Sequence, residues 1–238
     1  MALTDRKVMT FDVVGTLIDF ETGILDYVRG KATAAGVSVT DAAILEAYAV
    51  AEDRQHHLTP RLPFPSMMAP MYNEMTEVLG LPDTHTDAEE FRLSIPQWPA
   101  FPDSIAALKR LRKRLYLVAM TNSDNWALGH FARTLDLPFD DLVTAEMVGW
   151  NKPDAQVFAF VRGRLSKEGY GFQDILHVAQ SQYHDIAVAR KLGYHTCWIE
   201  RRKGKSGAGA TPKVQNVAIP DYHFSSLAEL ADAVDAGK

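Results

Sequence analysis

The sequence has only one cysteine, no long apolar run and no excess of positive charge. The single cysteine, Cys197, excludes an internal disulfide bond. A net charge of −5 and a pI of about 5.9 argue against a nucleic-acid-binding protein, because such proteins are usually basic. The apolar runs fall far short of the ~20 residues that a membrane span needs. Residues 1–8 are polar and charged, without the apolar core of a signal peptide, so we expect a cytoplasmic protein with no membrane or nucleic-acid partner.

The composition is otherwise that of an ordinary globular protein. Hydrophobic residues make up 47% of the chain and charged residues 23%. A chain of 238 residues is long enough for one large domain, or for one domain that carries an insertion. The order of the predicted elements decides between these two.

The stretch Val8–Asp19 predicts a strand that ends in a carboxylate. Val8 to Phe11 is a short apolar run, Asp12 follows it, and a predicted tight turn comes next at Gly15 and Thr16. In open α/β sheets, ligands bind just outside the carboxyl ends of the strands. Asp12 is therefore a candidate site residue, and the alternative is a capping role in a surface turn.

From residue 103 onward, predicted strands alternate with predicted helices. The strands are expected at residues 115–120, 141–145, 175–179, 195–199 and 222–224. This alternation is typical of βαβ units and a mostly parallel sheet. We therefore predict an α/β fold in which residues 1–19 and 98–238 form one Rossmann-like core.

Residues 20–97 have a different pattern. Apolar residues recur at three- and four-residue spacing, which predicts helices within 24–35, 41–54 and 66–79. No strand pattern interrupts this block, so we predict an α-helical cap inserted after the first strand. The adjacent histidines His56 and His57 match no metal-ligand spacing and are expected on the surface.

Polar side chains follow four of the predicted strands. Because the carboxyl ends of parallel strands face one edge of the sheet, these groups are expected to converge. Taken singly, each of these residues has a simpler interpretation, as a helix cap or as a surface residue. In chain order they are Asp12 and Thr16, then Thr121 and Asn122, then Lys152, then Ser181 and Asp185.

The order of these groups resembles the haloacid dehalogenase (HAD) superfamily, and the resemblance covers nearly the whole chain. Superfamily phosphatases carry a second Asp two residues after the nucleophile, but Val14 stands at that position here. Their fourth motif carries two acids for magnesium, and here the first has become Ser181. Both departures resemble the L-2-haloacid dehalogenase branch, which needs no metal. The resemblance implies a hydrolase without a metal or other cofactor, and it raises the expectation of a homodimer.

The residues permit a mechanism through an aspartyl ester. Asp12 is the expected nucleophile, attacking C2 of a small 2-haloacid to give a 2-hydroxyacid after hydrolysis. Lys152 is expected to hold Asp12 ionised, and Asp185 to orient Lys152 or accept a proton from water. Expected ligands for the carboxylate-bearing substrate are Thr16, Thr121, Asn122 and Ser181. Since dehalogenases place a cationic cap residue near the substrate, Arg54 and Arg61 are candidates by position.

Three alternatives stay open at this point. Residues 98–102 and the run Tyr183-His184-Asp185 look like relatives that open the ring of a small cyclic imino acid, such as azetidine-2-carboxylate. A phosphatase or phosphonatase with a remnant magnesium site is the second. The third is a non-catalytic binding domain, against which the presence of both Asp12 and Lys152 argues.

Overall fold

A parallel sheet forms the centre of the protein. The computed structural model describes residues 3–82, 84, 86–207, 209–212 and 214–237. Within them the strands are β1 Val8–Phe11, β2 Tyr116–Thr121, β3 Asp141–Thr144, β4 Ile175–Ala179, β5 His195–Ile199 and β6 Tyr222–Phe224. Their order across the sheet is β3-β2-β1-β4-β5-β6, and every neighbouring pair is parallel. This confirms the predicted α/β Rossmann-like fold.

Helices surround this sheet. They are α1 Phe20–Ala35, α2 Asp41–Leu58, α3 Phe64–Leu79, α4 Asp87–Leu93, α5 Ser104–Leu111, α6 Asn125–Thr134, α7 Ala145–Val148, α8 Ala155–Lys167, α9 Ala187–Lys191 and α10 Leu227–Asp235. Short 3₁₀ turns lie at Leu3–Asp5, Ile95–Gln97 and Phe172–Asp174. None of the helices formed by the described residues is long and apolar enough to cross a membrane.

Two short helices, α4 and α7, were missed from the sequence. They have seven and four residues, too few for an apolar repeat to stand out. The helix expected from Asp185 begins earlier, as a π-helical turn at Gln182–Ile186. Ser181 caps this turn, because the backbone N–H of His184 donates to Ser181 Oγ at 3.0 Å.

Strand β1 lies at the point where the direction of strand addition reverses. It is fully buried and pairs with β2 on one side and β4 on the other, with Phe11 opposite Ala119 and Val178. Ligands of open α/β sheets bind in the crevice beside such a reversal. The residues just after β1 and β4 therefore lie at the position where a ligand site is expected.

The described residues of the segment 20–97 form helices α1 to α4 and a 3₁₀ turn, with no strand among them. Helix α2 packs against α3, and α3 packs against α4. The division of residues 20–97 from the core as a separate cap domain stays a prediction. The first residue of α3 and the loop before it are bonded to segments that follow β2 and β3, because Phe64 N donates to Asn122 O and Asn151 Nδ2 donates to Leu62 O. These bonds hold the helical segment over the carboxyl ends of the strands.

Candidate active site

Asp12 stands at the carboxyl end of β1 and is 6% exposed. Its Oδ1 accepts a hydrogen bond from Lys152 Nζ at 2.9 Å, and its Oδ2 accepts one from Thr16 Oγ1 at 2.6 Å. Thr16 Oγ1 in turn accepts from the backbone N–H of Gln180 at 2.8 Å. The chain turns tightly between Asp12 and Thr16 at Gly15, whose φ of 87° is a conformation in which residues with a Cβ are strained. The carboxylate is therefore held in one orientation from both sides.

Lys152 joins the two carboxylates of the site. Its Nζ donates to Asp12 Oδ1 at 2.9 Å, to Asp185 Oδ1 at 2.7 Å and to the Met120 carbonyl at 3.0 Å. The side chain is fully buried, and an ammonium group has three N–H donors, so all of them are used. The structure thus brings together the three residues predicted to carry the chemistry.

The shared ammonium group sets the ionisation of this trio. Burial raises the pKa of Asp12, and the charge of Lys152 limits that rise. Burial alone would lower the pKa of Lys152, but the charges of Asp12 and Asp185 raise it above its usual value. Burial likewise opposes ionisation of Asp185, yet Lys152 and a hydrogen bond from His177 lower its pKa to about 2. Lys152 and Asp185 are therefore both charged at neutral pH.

His177 is a site residue that the sequence interpretation missed. It lies on β4, is fully buried and places Nε2 at 2.9 Å from Asp185 Oδ1. An ionised carboxylate only accepts, so Nε2 is the donor, while Nδ1 lies 2.9 Å from Thr10 Oγ1. The available signal was a histidine inside an otherwise apolar strand, ILHVA. His177 fixes the orientation of Asp185 and, through it, of Lys152.

Asn122 holds the backbone of Lys152. Its Oδ1 accepts from Lys152 N at 2.6 Å, and its Nδ2 donates to Lys152 O at 2.9 Å. Both ends of the amide are thus used to position Lys152. Asn122 also lines the pocket, but a role as a direct substrate ligand stays a prediction.

Replacement of Asn122 with alanine is expected to lower kcat about 10–100-fold, because a small displacement of a catalytic group is enough to cause such a loss. Steady-state kinetics with any substrate that the parent protein turns over would measure this. Asn125→Ala is the matched control, since Asn125 is exposed and its Oδ1 accepts from Thr144, away from Lys152. Parental activity in Asn122→Ala would remove this positioning role.

A pocket opens directly in front of Asp12. Of the predicted substrate ligands, Thr121, Asn122 and Ser181 line it, and Val14 and Phe64 contribute apolar surface. Thr16 touches Asp12 rather than the pocket. Ser181 Oγ accepts from His184 N and lies 3.3 Å from His184 Nδ1, so part of its bonding capacity is used. Binding of a substrate carboxylate by these side chains stays a prediction.

The structure does not bring Arg54 or Arg61 into this pocket. Arg54 is exposed and donates to Glu74 at 3.4 Å. Arg61 donates to the carbonyl of Gly149 at 3.1 Å and lies over the ring of Trp150. Among the described residues, no arginine lines the pocket, and its one cation is Lys152. A substrate-binding role for either arginine stays a prediction that this geometry does not favour.

Helix α2 contributes two groups that the sequence interpretation did not select. Glu52 lines the same pocket as Asp12. His56, expected on the surface together with His57, is 9% exposed and packs against the ring of His184 at a centroid distance of 5.0 Å. The surface prediction was thus wrong for His56, because the periodicity of α2 turns this residue towards the core. His57, one residue further along the helix, is exposed.

The donor set at the strand ends does not fit magnesium. Magnesium prefers oxygen ligands and usually retains several waters beside one or two carboxylates. Here the ammonium group of Lys152 lies between Asp12 and Asp185, and the position of a third acid is taken by Ser181. In the part of the chain that the structure describes, no group of three or more His, Cys, Asp or Glu side chains is placed to hold a metal.

The family follows from comparison of the whole chain with known proteins. A family model described as haloacid dehalogenase-like hydrolase matches residues 6–193, which is most of the sequence. The chain belongs to this family. The match includes Asp12, Lys152 and Asp185, the three residues that share hydrogen bonds at the sheet end.

Relatives of this haloacid dehalogenase-like hydrolase have more than one description. An (S)-2-haloacid dehalogenase of Pseudomonas putida is 27% identical over 150 residues, which cover 57% of this chain and 60% of that protein. The chain thus spans less than two thirds of that relative. The haloacid dehalogenase-like hydrolase domain-containing protein 3 of Mus musculus is 26% identical over 247 residues, covering 96% of this chain and 94% of that protein.

Solved structures of L-2-haloacid dehalogenases share the fold. One from Xanthobacter autotrophicus, with chloropropionic acid covalently bound, has a TM-score of 0.78 and 16% identity and covers 98% of this chain and 100% of its own. Another has a TM-score of 0.76 and 23% identity, covering 97% of this chain and 99% of its own. At these identities the likeness shows the architecture of the hydrolase, and its chemistry has to be argued from its own residues.

Proposed function

We propose that this hydrolase displaces a substituent from a carbon atom of a small organic acid, with Asp12 as the nucleophile. The most direct candidate is the hydrolytic dehalogenation of a 2-haloacid to a 2-hydroxyacid. The observation that carries the proposal is the arrangement of Asp12 in front of the pocket, with one oxygen bonded to Lys152 and the other to Thr16. Val14, two residues further on, has no acid to protonate a leaving alcohol, whereas a halide needs none.

The first step forms an ester on Asp12. A carboxylate oxygen attacks C2 of the substrate, the carbon–halogen bond breaks, and the halide leaves with the electron pair. Lys152 keeps Asp12 ionised and aimed, and Asp185 holds Lys152 in place, with its pKa of about 2 making it a poor base. Orientation of Lys152 is therefore the role that we assign to Asp185.

Water then cleaves the ester. It adds to the carbonyl carbon of Asp12, and the bond from that carbon to the ester oxygen breaks. The hydroxyacid leaves with the Asp12 oxygen that attacked C2, and the water oxygen stays in the regenerated carboxylate. His184 lines the pocket, and its buried Nε2 has no hydrogen-bond partner among the described residues. Burial lowers the pKa of His184 to about 3, so the ring is neutral, and we assign to it the orientation of the attacking water by a hydrogen bond.

A ring-opening hydrolase of a small cyclic imino acid is the second candidate. The pocket favours it in one respect, because the helical segment contributes Glu52 to its lining, whereas a dehalogenase is expected to have a cation there. Both reactions need a nucleophilic Asp12, so the core residues serve either. The phosphatase alternative loses support, since the donor set does not fit magnesium.

Single-turnover reaction in ¹⁸O-water, with EDTA present, tests this proposal. The substrates are a panel of 2-haloacids and azetidine-2-carboxylate, and the readout is peptide mapping by mass spectrometry. We expect ¹⁸O in the peptide that contains Asp12, because water attacks the ester carbonyl of the enzyme and not the substrate carbon.

Asp136→Asn is the matched control for this experiment, since the exposed Asp136 is paired with Lys109 far from the pocket. It should incorporate label as the parent does. Product formation with ¹⁸O only in the product would rule out the ester route. Phosphate release that requires added magnesium would instead revive the phosphatase alternative.

A further inference from the structure

One face of α2 lies over the pocket. Tyr48, Glu52 and His56 are spaced four residues apart, so they project from the same side of the helix. Tyr48 is fully buried and packs its ring on Phe20 at a centroid distance of 6.0 Å, while His56 packs on His184. These two contacts fix the helix on both sides of Glu52. They place Glu52 in the lining of the same pocket as Asp12.

Glu52 has no hydrogen bond or salt bridge to any of the described residues. Other carboxylates of the helical segment do have such partners: Glu74 pairs with Arg54, and Asp87 and Glu90 both pair with Lys31. Glu52 is partly buried, and a carboxyl group withdrawn from water without a partner is costly to ionise. Burial, followed by the charges of Asp53 and Asp12, raises the pKa of Glu52 to about 8. It carries a proton at neutral pH.

The other groups around Glu52 do not supply a proton as readily. Burial lowers the pKa of His56 to about 4 and that of His184 to about 3, so both rings are neutral. Burial raises the pKa of the Tyr48 hydroxyl well above its usual value. The N–H groups of Lys152 are all used. The titratable groups facing Glu52 are Asp12, Lys152, His184 and Asp185 from the core and Tyr48, Asp53 and His56 on α2.

We propose that Glu52 is a catalytic acid that protonates the group displaced by Asp12. This inference rests on the proposed function, in which Asp12 attacks carbon. The acid that HAD phosphatases carry two residues after the nucleophile is replaced here by Val14, and α2 instead contributes the carboxyl group of Glu52 to the pocket lining. The site is thus suited to a basic leaving group, such as the nitrogen of a strained cyclic amine.

The step balances without any further reactant. A bond forms between Asp12 Oδ and the substrate carbon, and the carbon–nitrogen bond breaks. The electron pair stays on the nitrogen, which takes the proton of Glu52 and leaves a carboxylate there. Water then cleaves the ester; one of its protons returns to the Glu52 carboxylate and the other stays on the hydroxyl group of the product. One water is consumed and an amino alcohol acid is released.

A comparison of two leaving groups tests the role of Glu52. The rate of Asp12 ester formation is measured by intact mass in rapid-quench experiments with 2-chloropropionate and with azetidine-2-carboxylate. We expect Glu52→Gln to slow the reaction of azetidine-2-carboxylate at least about 100-fold, the lower range for loss of a general acid. The effect on 2-chloropropionate should be at least tenfold smaller, because chloride leaves without a proton.

Glu46→Gln is the matched control, because Glu46 is an exposed acid of α2 that does not line the pocket. It should leave both rates within about twofold of the parent.

The parent enzyme gives a second readout without any mutation. Glu52 acts in its protonated form, so the rate at which the parent enzyme reacts with azetidine-2-carboxylate should fall above about pH 8. The rate of the Glu52→Gln variant should not show this fall.

The outcomes separate this inference from the proposed function. Equal slowing of both substrates by Glu52→Gln, or of neither, would overturn the inference and leave Asp12 as the nucleophile. Esterification of the parent enzyme by 2-chloropropionate alone would do the same. If no substrate esterifies Asp12, the proposed function fails, and the role of Glu52 falls with it.

Discussion

Replacement of Asp12 with asparagine is expected to lower kcat by at least about 10⁴-fold, the order of loss seen when a nucleophile is removed from a group of residues that act together. An amide nitrogen or oxygen at this position cannot form the ester that the proposed mechanism requires. The protein should still fold, because Lys152 keeps Asp185 as its counter-ion at 2.7 Å. Steady-state product formation, with circular dichroism as the check of folding, measures both expectations.

Two further variants make the Asp12 result specific. Asp136→Asn removes an exposed carboxylate and should retain activity within about twofold. Thr16→Val removes the bond to Asp12 Oδ2 but keeps the nucleophile, so it should lose far less activity than Asp12→Asn. A folded Asp12→Asn protein with parental turnover would exclude every mechanism in which Asp12 forms a bond to the substrate.

Replacement of Lys152 with methionine is expected to have the largest effect on stability. It leaves Asp12 and Asp185 buried near each other without the ammonium group that bridges them. Removal of one partner from a buried ion pair costs about 3–5 kcal/mol of the free energy of unfolding. Activity should be lost as well, because Asp12 is then neither aimed nor held ionised.

The destabilisation by Lys152→Met should depend on pH. Without the ammonium group, burial and the second carboxylate raise the pKa of one acid above its value in the unfolded chain. The folded variant then binds a proton that the unfolded chain releases, so its stability is greatest at low pH and falls as pH rises through that raised pKa. The loss of unfolding free energy relative to the parent should therefore become smaller as the pH is lowered from about 8 to about 5.

Urea unfolding at the two pH values measures this change in the free energy of unfolding. Lys109→Met is the matched control, because Lys109 and Asp136 form an exposed pair at 2.6 Å with side chains 60% and 61% exposed. Exposed pairs contribute about 0–1 kcal/mol, so this variant should stay close to the parent at both pH values. A pH-independent deficit in Lys152→Met would show that lost packing, rather than charge, is responsible.

The sequence was most informative where a short strand runs directly into a polar residue. Strand Val8–Phe11 is followed directly by Asp12, and strand Ile175–Ala179 is followed two residues later by Ser181. Both strands lie where the pattern predicted them. Because the carboxyl ends of parallel strands share one edge, their proximity followed from the fold class alone. Lys152 fits the same reasoning, since it follows β3 by one short helix and its Nζ reaches both acids.

Other site features depend on how the helical segment packs over the sheet. A pattern shows which face of α2 is apolar, but it does not show which core residue that face meets. Glu52 therefore gave no sign that it would line the pocket, and Arg54, two residues further on, points to solvent instead. His177 was hidden for a related reason, because a histidine in a buried strand has the same sequence context whether or not a carboxylate is near.

By itself, then, the sequence determined the α/β architecture, the family and the convergence of Asp12, Lys152 and Asp185. The architecture and the convergence depend on local periodicity and on the shared polarity of parallel strands, both of which are encoded within a few residues. The family was indicated by the resemblance of the motifs around Asp12, Lys152 and Asp185 to those of known members. Only the tertiary structure decided that Glu52 and His184 line the pocket and that Arg54 and Arg61 do not. Those placements depend on contacts between segments far apart in the chain, such as the ring contact of His56 with His184, and no local pattern records them.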